Sequence, residues 1–189
     1  MSGADYKAII RSMMGDYRYT HSVNVAAEAD ELARLYGEDE HKAYVAGILH
    51  DITKEIPKEE QLQIIREGGI ILDGVQQNAP KLWHSISGSV YVLRLGIEDE
   101  DIINAIRYHT TGRAGMSRLE KIIFIADFTA AERSYPGVET MREKSRQSLE
   151  EAMLFAMQFT LSDLSRRELA IHPDEVHCYN EIVLNKTKG

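Results

Sequence analysis

Apolar residues recur at helical spacing along most of the chain, and no stretch shows the period-two alternation of a half-buried strand. From Thr20 to Tyr36, Val25, Ala29, Leu32 and Leu35 keep one face, and Gly37 stands where a helix-ending glycine belongs. Asp39 is placed to cap a second helix carrying Ala43, Ala46, Gly47, Leu49 and His50. Pro57 opens a third, with Glu59 and Glu60 in its first turn and Gly68-Gly69 closing it. Residues 68–81, with glycines, Asn78 and Pro80, read as a loop. Trp83 to Leu95 reads as a helix ended by Gly96, and Asp99 as the cap of a helix running through Ile102, Ile103 and Ile106 to His109. After the loop-like Thr110–Gly115, Ser117 and Glu120 form a capping-box pattern ahead of Ile122, Ile123, Ile125 and Ala126. Ser134–Gly137 is a turn. Thr140 and Glu143 repeat the capping-box pattern before a long amphipathic helix to about Arg166, and Pro173 starts a last helix near Glu175–Leu184. The expectation is an all-α bundle of about eight helices, one domain over residues 1–189, because a domain takes roughly 100–200 residues.

Charge narrows the partners. The 22 basic and 30 acidic residues leave a formal charge of −8, which argues against a nucleic-acid polymer gripped through its backbone. A phosphate-bearing small molecule stays open, because a bound cation reverses the local field. The single cysteine, Cys178, excludes an internal disulfide and a cysteine zinc site and fits the cytoplasm. The longest apolar run, Ala152–Met157, is far short of the roughly 18 residues that span a bilayer, and Asp5 and Lys7 stand where a secretion signal wants an apolar run.

The histidines and aspartates carry the candidate chemistry. His21 is expected in the first turn of a helix, His50 and Asp51 at the end of an apolar one, His84 at the start of one and His109 at the end of one. Asp127 ends the run Ile122–Ala126. Polar residues at the ends of core helices emerge into a cleft, where these can converge. The stretch Val45–Lys54 is nearly all apolar until it offers an imidazole and a carboxylate side by side. Burying both without partners costs several kcal/mol, so either an interior ion pair or a divalent cation is called for.

His21, then His50-Asp51, then Asp127 resembles the H…HD…D signature of the HD-domain metal-dependent phosphohydrolases over about residues 18–135. Five segments resemble the YqeK-like branch, the symmetrical bis(5′-nucleosyl)-tetraphosphatases. They are Tyr19–Val23, Leu49–Lys54, Leu82–Ser85, Tyr108–Gly112 and Phe124–Asp127. The resemblance implies a metal-binding core over 18–135 with C-terminal helices, 140–189, packed on it. It makes His21, His50, Asp51 and Asp127 metal ligands, with His50 and Asp51 at the catalytic centre. His84 and His109 would hold a second metal or contact phosphate. A tyrosine-proline element after His109, the mark of the cyclic-dinucleotide phosphodiesterase branch, is absent. Imidazoles and carboxylates without thiolate suit iron, manganese, nickel, cobalt or zinc; the resemblance points to iron, as one ion or two.

The implied reaction is hydrolysis of a dinucleoside tetraphosphate such as diadenosine tetraphosphate into two nucleoside diphosphates by metal-activated water. An acidic chain must then supply cations locally. Arg18 lies three residues before His21, Lys54 three after Asp51 and Arg133 six after Asp127; Thr110 offers a hydroxyl. Arg107 and Arg113 flank His109 and read as surface charges. His41 reads as an exposed residue, and His177 and Cys178 as packing or surface residues. Trp83 reads as core, and His172-Pro173-Asp174 as a segment near the nucleotide base. The amphipathic helix at 140–166 offers a face for a homodimer. The alternatives are an HD-type nucleotidase or nucleoside-triphosphate hydrolase, a nucleotide-binding regulatory module with little turnover, and a di-iron oxygenase on the same scaffold.

Overall fold

The expected apolar stripes all form helices, and no strand occurs among the described residues, which in this computed structural model are 3–186. The described residues form eleven α-helices. They are α1 (Gly3–Met13), α2 (Asp16–Tyr36), α3 (Glu40–Leu49), α4 (Lys58–Glu67), α5 (Gly74–Asn78), α6 (Trp83–Tyr91), α7 (Glu100–Tyr108), α8 (Arg118–Thr129), α9 (Val138–Gln147), α10 (Leu149–Arg166) and α11 (Pro173–Lys186).

The caps read from the sequence set many of the boundaries. Gly37 ends α2 at φ 66° with its N–H on the Ala33 carbonyl. Asp39 accepts from the Lys42 N–H at the start of α3, and Asp99 caps α7. Ser117 and Glu120 make a reciprocal capping box on α8.

Three features raise the expected eight helices to eleven. The first is α1, which buries Tyr6, Ile10 and then Met14, a stripe of only two turns. The second is α5, inside the segment expected to be a loop, where Asp73 and Gln76 form a capping box. The third is a break in the long helix expected from Thr140 to Arg166. Ser148 is extended there (φ −160°, ψ 129°), and its hydroxyl caps α10 at the Glu151 N–H. The capping box expected at Thr140 does not form; α9 begins after Gly137, at φ 98°. The helix expected to reach Leu95 tightens into a 3-10 turn at Val92–Leu95 before Gly96.

At the centre is α8, whose residues Ile122 to Ala126 are all fully buried. A helix apolar on every side must be wrapped by others, and α2, α3, α7, α9 and α10 all pack on it. Around these, α6 lies between α7 and α4, α1 covers α3, and α11 lies on α10. On α10, Leu149, Ala152, Met153, Ala156 and Met157 are buried within the chain, while Phe159 is exposed. No described helix is long and apolar enough to cross a membrane.

Helices α2 and α3 meet backbone to backbone at Gly47. A Cβ on Gly47 would stand 2.9 Å from the Ala26 Cα and 3.2 Å from the Val25 carbonyl oxygen, both backbone atoms. Gly47→Ala should therefore lower stability by about 1–3 kcal/mol despite alanine's better helix propensity, because overpacking of backbone outweighs the gain of about 1 kcal/mol. Urea unfolding of the two proteins measures this; equal midpoints would overturn the reading.

On α11, Glu175 is buried, and its Oε2 has no hydrogen-bond partner. Burial, helped by the neighbouring Asp174, pushes its carboxyl up to about 7. In the unfolded chain the group ionises near the ordinary carboxylate range, so the folded state holds an extra proton between about pH 4.5 and 7 and loses stability as pH rises through that window. Glu175→Gln should gain on the native protein by roughly 3 kcal/mol between pH 4 and pH 8. A pH-independent difference in urea unfolding would contradict it.

Candidate active site

Helix ends deliver the candidate residues to one place. His50 is the C-terminal cap of α3 and Asp51 lies in the turn that follows. His84 is in the first turn of α6, His109 caps α7, and Asp127 is in the last turn of α8. His21 is the exception. Because α2 starts at Asp16, it falls in the second turn, not the first as expected. All four histidines and Asp51 are buried, and Asp127 is partly exposed.

The backbone fixes the tautomer of three imidazoles. His50 Nδ1 lies 2.7 Å from the Gly47 carbonyl, His84 Nδ1 2.7 Å from the Lys81 carbonyl, and His109 Nδ1 2.8 Å from the Ile106 carbonyl. A carbonyl only accepts, so each Nδ1 carries the hydrogen and each Nε2 of a neutral ring presents a lone pair. His21 Nδ1 faces a carboxylate instead, Glu132 Oε1, whose other oxygen accepts from Asn24 Nδ2 at 2.6 Å.

The four Nε2 atoms then meet in two pairs. His21 and His50 stand 3.3 Å apart, and His84 and His109 3.2 Å apart. Asp51 lies between the pairs. Its Oδ2 is 3.5 Å from His50 Nε2 and 3.9 Å from His21 Nε2; its Oδ1 is 3.1 Å from His84 Nε2 and 3.5 Å from His109 Nε2. Oδ1 is buried without an aligned hydrogen bond. Asp127 Oδ1 lies 3.1 Å from His21 Nε2.

Neutral rings so oriented point lone pairs at one another, an arrangement that a cation between them would relieve. Donors bound about 2.1 Å from one ion lie ~3.0 Å apart at right angles and ~3.4 Å apart in a tetrahedron. The observed separations match such edges, and the orphaned Asp51 Oδ1 supplies a further ligand atom. Two groups have mutually close ligand atoms, His21–His50–Asp127 and His50–Asp51–His109. The donor set fits a divalent metal ion.

The candidate carboxylates stay ionised despite burial. Burial alone would raise the Asp51 carboxyl, but the imidazoles of His50, His109 and His84 close around its oxygens hold it well below the usual range. Asp127 is likewise held down against burial, by the adjoining His21 ring and the Arg133 charge. Glu132 is lowered against burial by its bonds to His21 and Asn24. Burial brings His84 down to about 4, so that ring is neutral near pH 7.

The expected phosphate-binding residues line the same place, with partners of their own. Arg18 Nη1 donates to Asp51 Oδ2 at 2.5 Å. Arg133 Nε donates to the Asp127 carbonyl at 2.7 Å, and its Nη2 pairs with the Asp127 carboxylate. Lys54 Nζ donates to His84 Nε2 at 2.9 Å, and burial lowers its pKa against the attraction of Asp51 and Asp127. Thr110 Oγ1 lies 3.0 Å from Ser85 Oγ. Arg113 is spent on Glu120, with bonds of 2.7 and 3.1 Å, while Arg107 is partly buried with Nη1 unpartnered. His41 and His177 are exposed; Trp83 and Cys178 are core. His172 is buried and meets Asp73 at 2.7 Å. Sequence reasoning missed Glu132 and Asn24. Asn24 follows His21 by one helical turn, but Glu132 sits in a corner with no periodicity to mark it.

An all-helical bundle whose helix ends gather histidines around a His-Asp pair is the arrangement of a known class: the HD domain family model matches residues 18–132, and the chain belongs to that family. Within it, the chain is 38% identical to the symmetrical bis(5′-nucleosyl)-tetraphosphatase of Bacillus subtilis, over 97% of this chain and 98% of that protein. It is also 38% identical to the protein of that name from Halalkalibacterium halodurans, over 94% of this chain and 95% of the relative. A solved structure from Clostridium acetobutylicum, described as a predicted HD superfamily hydrolase involved in NAD metabolism, superposes with a TM-score of 0.95 at 33% identity. It covers 98% of both chains.

His50→Ala and Asp51→Ala should each lose bound divalent metal while keeping the helical circular-dichroism signal, and His41→Ala should retain it. Elemental analysis of protein purified without added metal decides; full metal content in both site variants would remove the site.

Proposed function

We propose that this chain hydrolyses dinucleoside tetraphosphates symmetrically, releasing two nucleoside diphosphates. The carrying observation is the assembly of four imidazole lone pairs around Asp51 in a chain matched over nearly its whole length by symmetrical bis(5′-nucleosyl)-tetraphosphatases. In this reading the protein works in the cytoplasm and binds neither a nucleic-acid polymer nor a membrane.

His21, His50, Asp51 and Asp127 would hold the divalent ion, which on this proposal is iron. Bound there, a divalent metal lowers the pKa of water and offsets phosphate charge. The chain's own groups do the rest. His84 and His109 spend their Nδ1 hydrogens on carbonyls, so as neutral rings they have no N–H left for a phosphate oxygen. That favours their holding a second ion together with Asp51 Oδ1. Donors for the phosphate chain come from Arg18, Lys54 and Arg133, each already within the cluster, and from the Thr110 hydroxyl. A cavity of about 280 Å³ bounded by Asn78, Pro80, Leu82, Leu164, Leu169 and His172 adjoins Lys81, whose carbonyl anchors His84. It offers room for the nucleoside end of one half.

Holding one nucleoside diphosphate half brings its second phosphorus to the cluster. Water adds to that phosphorus, the bridging P–O bond breaks, and the other half leaves as a nucleoside diphosphate. Diadenosine tetraphosphate should therefore yield ADP alone. In oxygen-18 water one of the two ADP molecules per turnover should carry the label. AMP with ATP would mean attack at an outer phosphorus and overturn the symmetrical reading. Faster turnover of mononucleotides in the same panel would favour a nucleotidase.

A further inference from the structure

His21 differs from the other three histidines in how its ring is held. His50 and His109 cap helix ends, where the last carbonyls have no intrahelical partner and are free to accept from Nδ1. His84 finds the Lys81 carbonyl in the 3-10 turn before α6. His21 lies inside α2, where the carbonyls behind it are engaged by the helix itself, so its anchor must come from another segment.

That anchor is Glu132. One carboxylate oxygen takes the Nδ1 hydrogen, and the other is clamped by Asn24 Nδ2 at 2.6 Å from the next turn of α2. A carboxylate only accepts, so Nδ1 carries the hydrogen, and in the neutral ring Nε2 is the lone pair, facing Asp127 Oδ1 at 3.1 Å and His50 Nε2 at 3.3 Å. The corner carrying Glu132 is itself tied down. Arg142 on α9 donates from Nε to the Thr129 carbonyl at 3.1 Å, and from Nη2 to the carbonyls of Ala130 at 3.0 Å and Arg133 at 3.1 Å.

We propose that Glu132 is a positioning residue of the metal centre: it fixes the ring orientation and tautomer of His21, as backbone carbonyls do for the other three histidines. The assignment rests on the metal-binding reading of the cluster. A carboxylate behind a ligating histidine also raises its basicity, and removing such a group typically costs about 10–100-fold in metal affinity.

Titration of the metal-free protein with Co²⁺, followed by visible absorption in the cold, tests it, since the bands report both affinity and ligand geometry. Glu132→Ala should bind Co²⁺ ~10–100-fold more weakly, with altered bands. Glu132→Gln, which keeps an acceptor for Nδ1, should bind more tightly than the alanine variant. Glu31→Gln, an exposed carboxylate on the same helix, should match the native protein. The proposal is overturned if Glu132→Ala binds Co²⁺ like the native protein with the same spectrum, including the case where only its melting temperature falls. Failure of the native protein to take up Co²⁺ would instead overturn the metal reading, and this assignment with it.

Discussion

The structure turns on one constraint: buried imidazole Nε2 atoms brought within 3.2–3.3 Å of one another, on rings whose Nδ1 atoms are already engaged. Three of the rings have Nδ1 fixed as the donor by backbone carbonyls, and the fourth by a carboxylate. Lone pairs facing lone pairs repel, and Asp51 alone places one negative group among them. Such a cluster persists in a fold only when positive charge is supplied to it. Arg18, Lys54 and Arg133 supply part of that charge, and the geometry leaves room for a metal ion to supply the rest.

Holding helix ends so close demands backbone precision rather than bulk. Gly47 serves twice: its missing side chain lets α3 touch α2, and its carbonyl orients His50. The apolar middle of α8 fixes where Asp127 emerges, while Thr53 donates to the His84 carbonyl at 2.8 Å and ties the turn after Asp51 to α6. Arg142 fastens the corner after α8 through several carbonyls at once. Packing and site geometry are therefore coupled, and a substitution that loosens the α2–α3 or α8–α9 contact moves a histidine or its anchor.

Much of this was legible in the sequence because it is local. Asp39, Asp99 and the Ser117–Glu120 box act within one turn, so the residues alone mark the helix starts. The His50-Asp51 pair stands out because an apolar run ends abruptly in two polar groups. What escaped is non-local or short. The stripe on α1 spans too few turns to register, and Ser148 breaks a continuous amphipathic pattern by an extended backbone that periodicity does not encode. Glu132 meets His21 across 111 residues from an irregular corner, a contact that only the tertiary fold creates. The pairing of Arg18 with Asp51 and Arg133 with Asp127 was also hidden, although nearness in sequence had brought all four to one place.

Those two ion pairs reconcile an acidic chain with a polyanionic ligand. The formal charge of −8 belongs to the surface as a whole, and Coulomb forces between exposed groups are screened beyond about 8–10 Å. Within the cluster, Arg18 and Lys54 stand 2.5 and 3.6 Å from the Asp51 carboxylate and Arg133 pairs with Asp127, so the local balance decides what binds. A divalent cation adds positive charge where Asp51 and Asp127 are already engaged by arginine, and that surplus can be matched only by an incoming anion. A phosphate chain brings the anion and presents acceptors to the same guanidinium and ammonium groups. Cation and phosphate are thus complementary occupants of one charge cluster, whatever the net charge of the rest of the molecule.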